Sequence, residues 1–310
     1  MISTALRRWA AFLGLLCVAG LCFLFSGGDG ADSTPTIPAV PIIDASVAAD
    51  PGVQKIAAAN TQFGFQMLRQ LDQSASEGNV FFSPLSVSSA LSVVLTGAGG
   101  QTRKSIAKTL GLSGLTSDEI DRANGLLLPS LENPDPKVQV SVANALWANQ
   151  GTVFAPDFQT RCRQFYQAQA ETLDFSAPAA AETINKWVDT QTQGKISQIV
   201  SPEDIAASPA VITNAVYFHG LWQTPFVKSR TQDGPFTLAS GGTKTVPLME
   251  RSGSLSYTEN DAFQAVSLPY GAGRMSFVVL LPKPGTDIST LVSGLTPSVW
   301  AAAIKDMKQT

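Results

Sequence analysis

The stretch at 211–222, VITNAVYFHGLW, constrains the fold of this 310-residue chain more than any other. Its first eight residues are β-branched, aromatic or small and apolar, apart from one amide and one threonine, and they show no polar alternation. A strand reads this way when both of its faces are covered, so the stretch predicts an inner strand of a large sheet. Asn214 interrupts the run. A buried amide left unpaired costs about 1–3 kcal/mol. Either Asn214 lies at an edge within reach of water, or the fold supplies it with hydrogen bonds. Gly220 lets the chain turn, and Trp222 is either ordinary core or an anchor at the strand end.

The N-terminus obeys a different logic. Arg7 and Arg8 precede an unbroken apolar segment at 9–25, and a small, polar stretch follows at 26–34. A basic flank, an apolar centre and small residues for cleavage are the layout of a secretory signal peptide. The segment is also long enough to be an uncleaved membrane anchor. Residues 1–31 are therefore expected to be a signal peptide or anchor, and 32–53, rich in Pro, Ala, Ser and Thr, a tether. The folded domain is expected at 54–310. Export places it outside the cytoplasm, extracellular or periplasmic, either free or held facing outward by the anchor. Cys17 and Cys22 lie in the apolar segment, which leaves Cys162 as the one cysteine of the domain.

Further along, helical periods run over 54–71, from Pro84 to about 96, and over 101–110, 117–131, 154–168 and 179–192. Ser83-Pro84 suits a helix start, because proline needs no hydrogen bond in the first turn. Strands are expected at 80–82, 138–148, 171–175 and 211–218, then in a late cluster at 236–238, 243–249, 255–258, 262–268 and 275–281; 288–308 is helical, with a break at Pro297. Helices early and strands late, without a βαβ repeat, predict a mixed α+β domain with more than one sheet.

Several chemistries are missing. A net charge of −3 and a pI near 5.2 give no nucleic-acid footprint. Arg103, Lys104 and Lys108 form a basic helix face of the kind that is ordinarily solvated. With one histidine, His219, a histidine-assisted hydrolase would have to use it, with Cys162 or a serine as nucleophile, and no G-x-S-x-G points to that serine. One histidine and one domain cysteine do not make the usual zinc site. The GGTKT at 241–245 lacks the spacing of a phosphate loop. No catalytic residue, metal site or cofactor is expected.

With these residues laid out, the chain resembles a serpin from about residue 54 to its end. The resemblance rests on NVFFSPLS at 79–86, GAGGQT at 97–102, VANALW at 142–147, INKWV at 184–188 with Gly194-Lys195-Ile196, TNAVYFHGLW at 213–222, SLPY at 267–270 and LLP at 280–282, in order and at family-like spacing. It implies helices around three β-sheets and a metastable scaffold. In such a scaffold, an exposed loop cut by a serine or cysteine protease inserts as a new strand of the main sheet and traps the enzyme covalently. Asn214 with Ser83 and Ser86 would form a hydrogen-bonded gate beneath that sheet, and Trp222 would pack where the loop first enters. The expected protein is a monomer with a protease as partner. It touches a membrane only through an uncleaved N-terminus, and its alternative role is a non-inhibitory binding or structural one. The resemblance also implies that the reactive loop and last strands would lie beyond Thr310. The present stretch alone would then not inhibit and would leave sheet edges open.

Overall fold

The computed structural model describes residues 15–25, 45–74, 79–132, 134–238 and 241–310. In chain order the elements are β1 (Leu15–Phe25), α1 (Ala45–Ala49), α2 (Pro51–Ser74), α3 (Pro84–Gly97), α4 (Gly100–Thr109), α5 (Ser117–Leu131), β2 (Val138–Asn149), α6 (Pro156–Tyr166), β3 (Gln169–Leu173), α7 (Pro178–Gln191), α8 (Pro202–Ile205) and β4 (Ala210–Gly220). There follow β5 (Gln232–Thr237), β6 (Thr243–Leu248), β7 (Ser256–Glu259), β8 (Phe263–Tyr270), β9 (Met275–Pro282), α9 (Ile288–Gly294), α10 (Pro297–Asp306) and β10 (Lys308–Gln309).

Three sheets result, of order β1-β4-β2-β3, β10-β7-β8-β9 and β5-β6. The expected inner strand is β4, buried at every position except the half-buried His219. It pairs antiparallel with β2 in a register that sets Asn144 opposite Asn214, and β2 pairs in parallel with β3. Because side chains alternate along a strand, β2 and β4 each present two apolar sets. Val140, Val142, Leu146, Ile212 and Val216 face α3 in one core. Ala145, Trp147 and Val211 join Ile184 of α7 in another. Each such aliphatic side chain contributes about 1.5–3 kcal/mol on burial, which explains why β4 carries no outward polar row.

The helices enclose a further core, in which Ile56, Phe63, Leu95, Ile106 and Ile120 bring α2, α3, α4 and α5 together. The second large sheet closes over Phe263, Ala265, Leu291 and Leu295.

Two expectations are corrected. Residues 80–82 are not part of any strand among the described residues, and Phe81 is 64% exposed. The apolar triplet has strand propensity, but no described strand runs beside it to bond its backbone. The expected tether 32–53 overlaps helix at 45–49 and from Pro51 onward. Asp50 there accepts hydrogen bonds from the Gly52 and Val53 amides, and proline follows it in the first turn, a start signal that outweighs the lack of apolar period.

At the N-terminus, 15–25 is a strand in parallel register with all of β4, Leu15 opposite Ala210 and Phe25 opposite Gly220. The rest of the expected signal peptide or anchor at 1–31 lies outside the described residues. Among those described, no helix is long and apolar enough to cross a membrane.

Candidate functional site: a buried polar seam beneath the main sheet

α3 is the element on which the seam is built. Ser83 caps it, accepting a hydrogen bond from the Ser86 amide at 3.1 Å, and Pro84 takes the first helical position. The face it turns to the sheet is made of small residues, Ser86, Ser89, Ala90 and Val93, all buried. Short side chains let the helix lie close to the strands, and the serine hydroxyls become available to whatever polar group the strands present.

That group is the asparagine pair. Asn214 is fully buried; its Oδ1 accepts from Ser86 Oγ at 2.5 Å, and its Nδ2 donates to Asn144 Oδ1 at 2.8 Å. Asn144 Oδ1 also accepts from Ser89 Oγ at 3.2 Å, and its Nδ2 donates to the Tyr166 carbonyl at 2.9 Å. The edge alternative for Asn214 is thereby excluded, since the fold supplies its partners. Ser83 does not touch Asn214 among the hydrogen bonds described; it acts one step away, by holding the Ser86 amide.

Asn144, Ser89 and Tyr166 are members that the sequence reading did not single out. A signal for Asn144 was present: it continues the inward series Val138, Val140, Val142 at the next even position, so strand parity alone places it under α3. Tyr166 had no such signal, because it contributes its backbone carbonyl from the last turn of α6.

From Tyr166 the polar chain continues away from the sheet. Its phenol donates to Asp121 Oδ1 at 2.7 Å, Thr96 Oγ1 donates to the same oxygen at 2.9 Å, and Arg161 pairs with Asp121 at 2.6 Å and with Asp118 at 2.7 Å. Burial, and then the Asp121 charge, hold the Tyr166 phenol well above its ordinary value. A connected set of buried polar groups thus runs from β4 through β2 and α6 to α5, with α3 touching it at Ser86, Ser89 and Thr96.

Trp222 sits apart from this seam. Eight residues separate it from Asn214, about 26 Å at roughly 3.3 Å per strand residue. Its ring stacks on Tyr270 at 4.3 Å between centroids and 12° between planes, with Phe226 edge-on at 5.8 Å. An isolated β-bridge joins Trp222 to Tyr270, so this contact stitches the end of β4 to the second sheet. Gly220 is required here, since a Cβ would meet the Tyr270 ring at 2.8 Å and the Phe218 ring at 2.9 Å.

The residues weighed for hydrolysis are poorly placed for it. Cys162 is buried, and its thiol is pushed from 9.0 up to about 12, by burial first and by Asp121 second. That is the reverse of what a thiolate nucleophile needs. His219 is half-buried near the end of β4, opposite Gln139. Among the described residues no group of three or more His, Cys, Asp or Glu could hold a metal ion.

This arrangement has counterparts. The family profile described as Serpin (serine protease inhibitor) matches residues 58–310. Mouse leukocyte elastase inhibitor A is 32% identical over 243 residues, covering 77% of this chain and 64% of that protein. Human serpin B9 is 33% identical, covering 79% and 66%. An uncharacterized serpin-like protein of Thermococcus kodakarensis is 39% identical, covering 72% and 52%. The chain thus spans somewhat under two thirds of the length of the first of these relatives. Among solved structures, emu ovalbumin superposes with a TM-score of 0.74 at 27% identity, covering 83% of this chain and 71% of that one. Human thyroxine-binding globulin with bound ligand gives 0.75 at 25%, covering 84% and 70%. With its helices, its three sheets and these matches, the chain belongs to the serpin family.

Proposed function

We propose that this chain is the scaffold of an exported, monomeric inhibitor of serine or cysteine endopeptidases, and that a full-length protein carrying it works by admitting a cleaved loop into its main sheet and holding the protease as an acyl-enzyme. The observation that carries the reading is the asparagine pair: two buried amides facing each other across β2 and β4, bonded to α3 at Ser86 and Ser89. A strand entering beside β4 would require β2 and β4 to slide on α3, so these hydrogen bonds act as the gate, with Ser83 fixing the helix end. Trp222, stacked on Tyr270, packs at the end of the sheet where the loop would first enter. Cleavage of the leader would take β1 away from the edge of β4, and that edge would then be open to a strand from a distant part of the chain. The mechanism uses no catalytic residue, metal or cofactor of the inhibitor, because the reacting serine or cysteine belongs to the protease.

Export rests on Arg7 and Arg8 before the apolar 9–25 segment. Expression of the whole gene product in an exporting host, followed by N-terminal sequencing, tests it. A first residue between 26 and 34 is expected, and recovery of an intact Met1 in the cell interior would overturn it.

The inhibition itself is tested by incubating a full-length protein carrying this scaffold with an elastase-like and a chymotrypsin-like protease and running denaturing gels. A band at the summed mass that survives SDS is expected. Cleavage without such a band would favour the second reading, a binding role on the same scaffold, which the similarity to a thyroxine-bound globulin also supports.

A further inference from the structure

A cavity of about 430 Å³ lies at the far end of the same sheet, away from Trp222, between the last residues of β2, the first of β4, the C-terminus of α3 and the start of α6. Its walls are Val94, Leu146, Ile212, Phe154 and Phe158, and none of its lining residues is charged. The space exists for a local reason. α3 ends at Gly97 and the chain turns through Ala98 and Gly99 into α4, so the residues at the corner between helix and sheet have almost no side-chain volume. Nor can the aromatic wall drift inward freely. Phe158 is packed so closely on Gly97 that a Cβ there would meet its ring at 2.8 Å, and Phe154 leans on Phe158 at 5.4 Å. Val153, 90% exposed, marks the rim. The side-chain hydroxyls of the lining come from Thr102 and Thr152.

We propose that this cavity is a binding site for a neutral, apolar small molecule carrying at most one hydrogen-bonding group, of the size of a two-ring aromatic. Its volume lies in the range of ligand pockets, and such pockets pair apolar walls with a few polar groups. A charged ligand would lose its hydration without gaining a counter-ion, which excludes fatty-acid and phosphate headgroups from the interior. The ligand would touch α3 and both strand ends together, so its binding stabilises their packed arrangement. This site is independent of the inhibitory reading, and its test does not use a protease.

The probe is N-phenyl-1-naphthylamine, neutral and fluorescent in apolar surroundings, titrated into the whole chain and followed in parallel by thermal melting. Two variants report on location: Ala98→Phe, which adds a ring to the corner, and Thr102→Glu, which puts a charge on the wall. Circular dichroism checks that each is folded, and either suffices if the other is not. A single saturable site is expected, with a rise in Tm for the wild type, affinity at least tenfold weaker in the variants, and no Tm rise in them. Equal affinity in wild type and a folded variant would place the probe on exposed apolar residues elsewhere, such as Phe277 and Leu281, and would overturn the proposal. So would the absence of saturable binding.

Discussion

Asn214 illustrates how one residue can be read two ways until its neighbours are known. In sequence it is a polar flaw in an apolar strand. In the structure it is the joint between α3 and β2, because Ser86 and Asn144 meet its two amide ends. Replacing it by alanine strands the Ser86 hydroxyl and one bond of Asn144, so Asn214→Ala is expected to lose about 1–3 kcal/mol of unfolding free energy in a urea titration. Ser83→Ala removes only a cap, about 1 kcal/mol, and leaves the amide pair intact. A loss from Ser83→Ala as large as that from Asn214→Ala would argue against this division of roles. Cys162 makes a prediction of a different kind. Its thiol, shifted from 9.0 to about 12, stays protonated in the fold at pH 8, so alkylation mapped by mass spectrometry should mark it only after denaturation. The unfolded chain loses this proton first as pH rises, so stability falls above roughly pH 8.5 and goes on falling until the folded thiol ionises near 12. Cys162→Ala should flatten that slope, and an unchanged slope would assign it to other groups.

Among the elements, α3 and β4 were legible to different degrees, for a physical reason. β4 announces itself because an unbroken apolar run has few other uses. The start of α3 was equally plain in Ser83-Pro84, but its inward face was not. Val87, Leu91 and Val94 were expected to point to the core, and they do pack on the helical cluster, half-buried. The sheet, however, is met by Ser86, Ser89, Ala90 and Val93. Helical period counts apolar residues, and a contact made by small polar ones against a strand amide does not register in it. The ion pair between α5 and α6 was equally invisible. Asp121 and Arg161 are 40 positions apart, and nothing in either segment alone marks one as buried against the other. Removing Arg161 leaves the Asp121 charge buried with only the Tyr166 and Thr96 hydroxyls beside it. Breaking a buried pair in this way costs on the order of 3 kcal/mol, so Arg161→Ala should shift the urea midpoint clearly. A shift equivalent to less than about 0.5 kcal/mol, the size of an exposed pair, would show that Asp121 is solvated.

At the scale of the whole molecule the architecture separates what holds from what moves. The three sheets and the helical core are joined by a few specific contacts: Trp222 on Tyr270, Arg69 donating to the Leu295 carbonyl, and the polar seam. Along β9, Phe277, Val279 and Leu281 alternate at 41%, 38% and 60% exposure, and Phe277 meets the Trp222 ring edge-on at 6.2 Å. The family blocks made the number of sheets readable from sequence. The seam's extension through Tyr166 to Asp121 needed coordinates, because it runs through a backbone carbonyl and across three helices. Ser86 and Asn214 act as one clamp between helix and sheet. The most direct measurement is a double-mutant cycle of Ser86→Ala and Asn214→Ala in urea. A coupling of about 1 kcal/mol or more is expected, as for residues in contact, and single-variant losses that add to within about 0.3 kcal/mol would contradict the clamp.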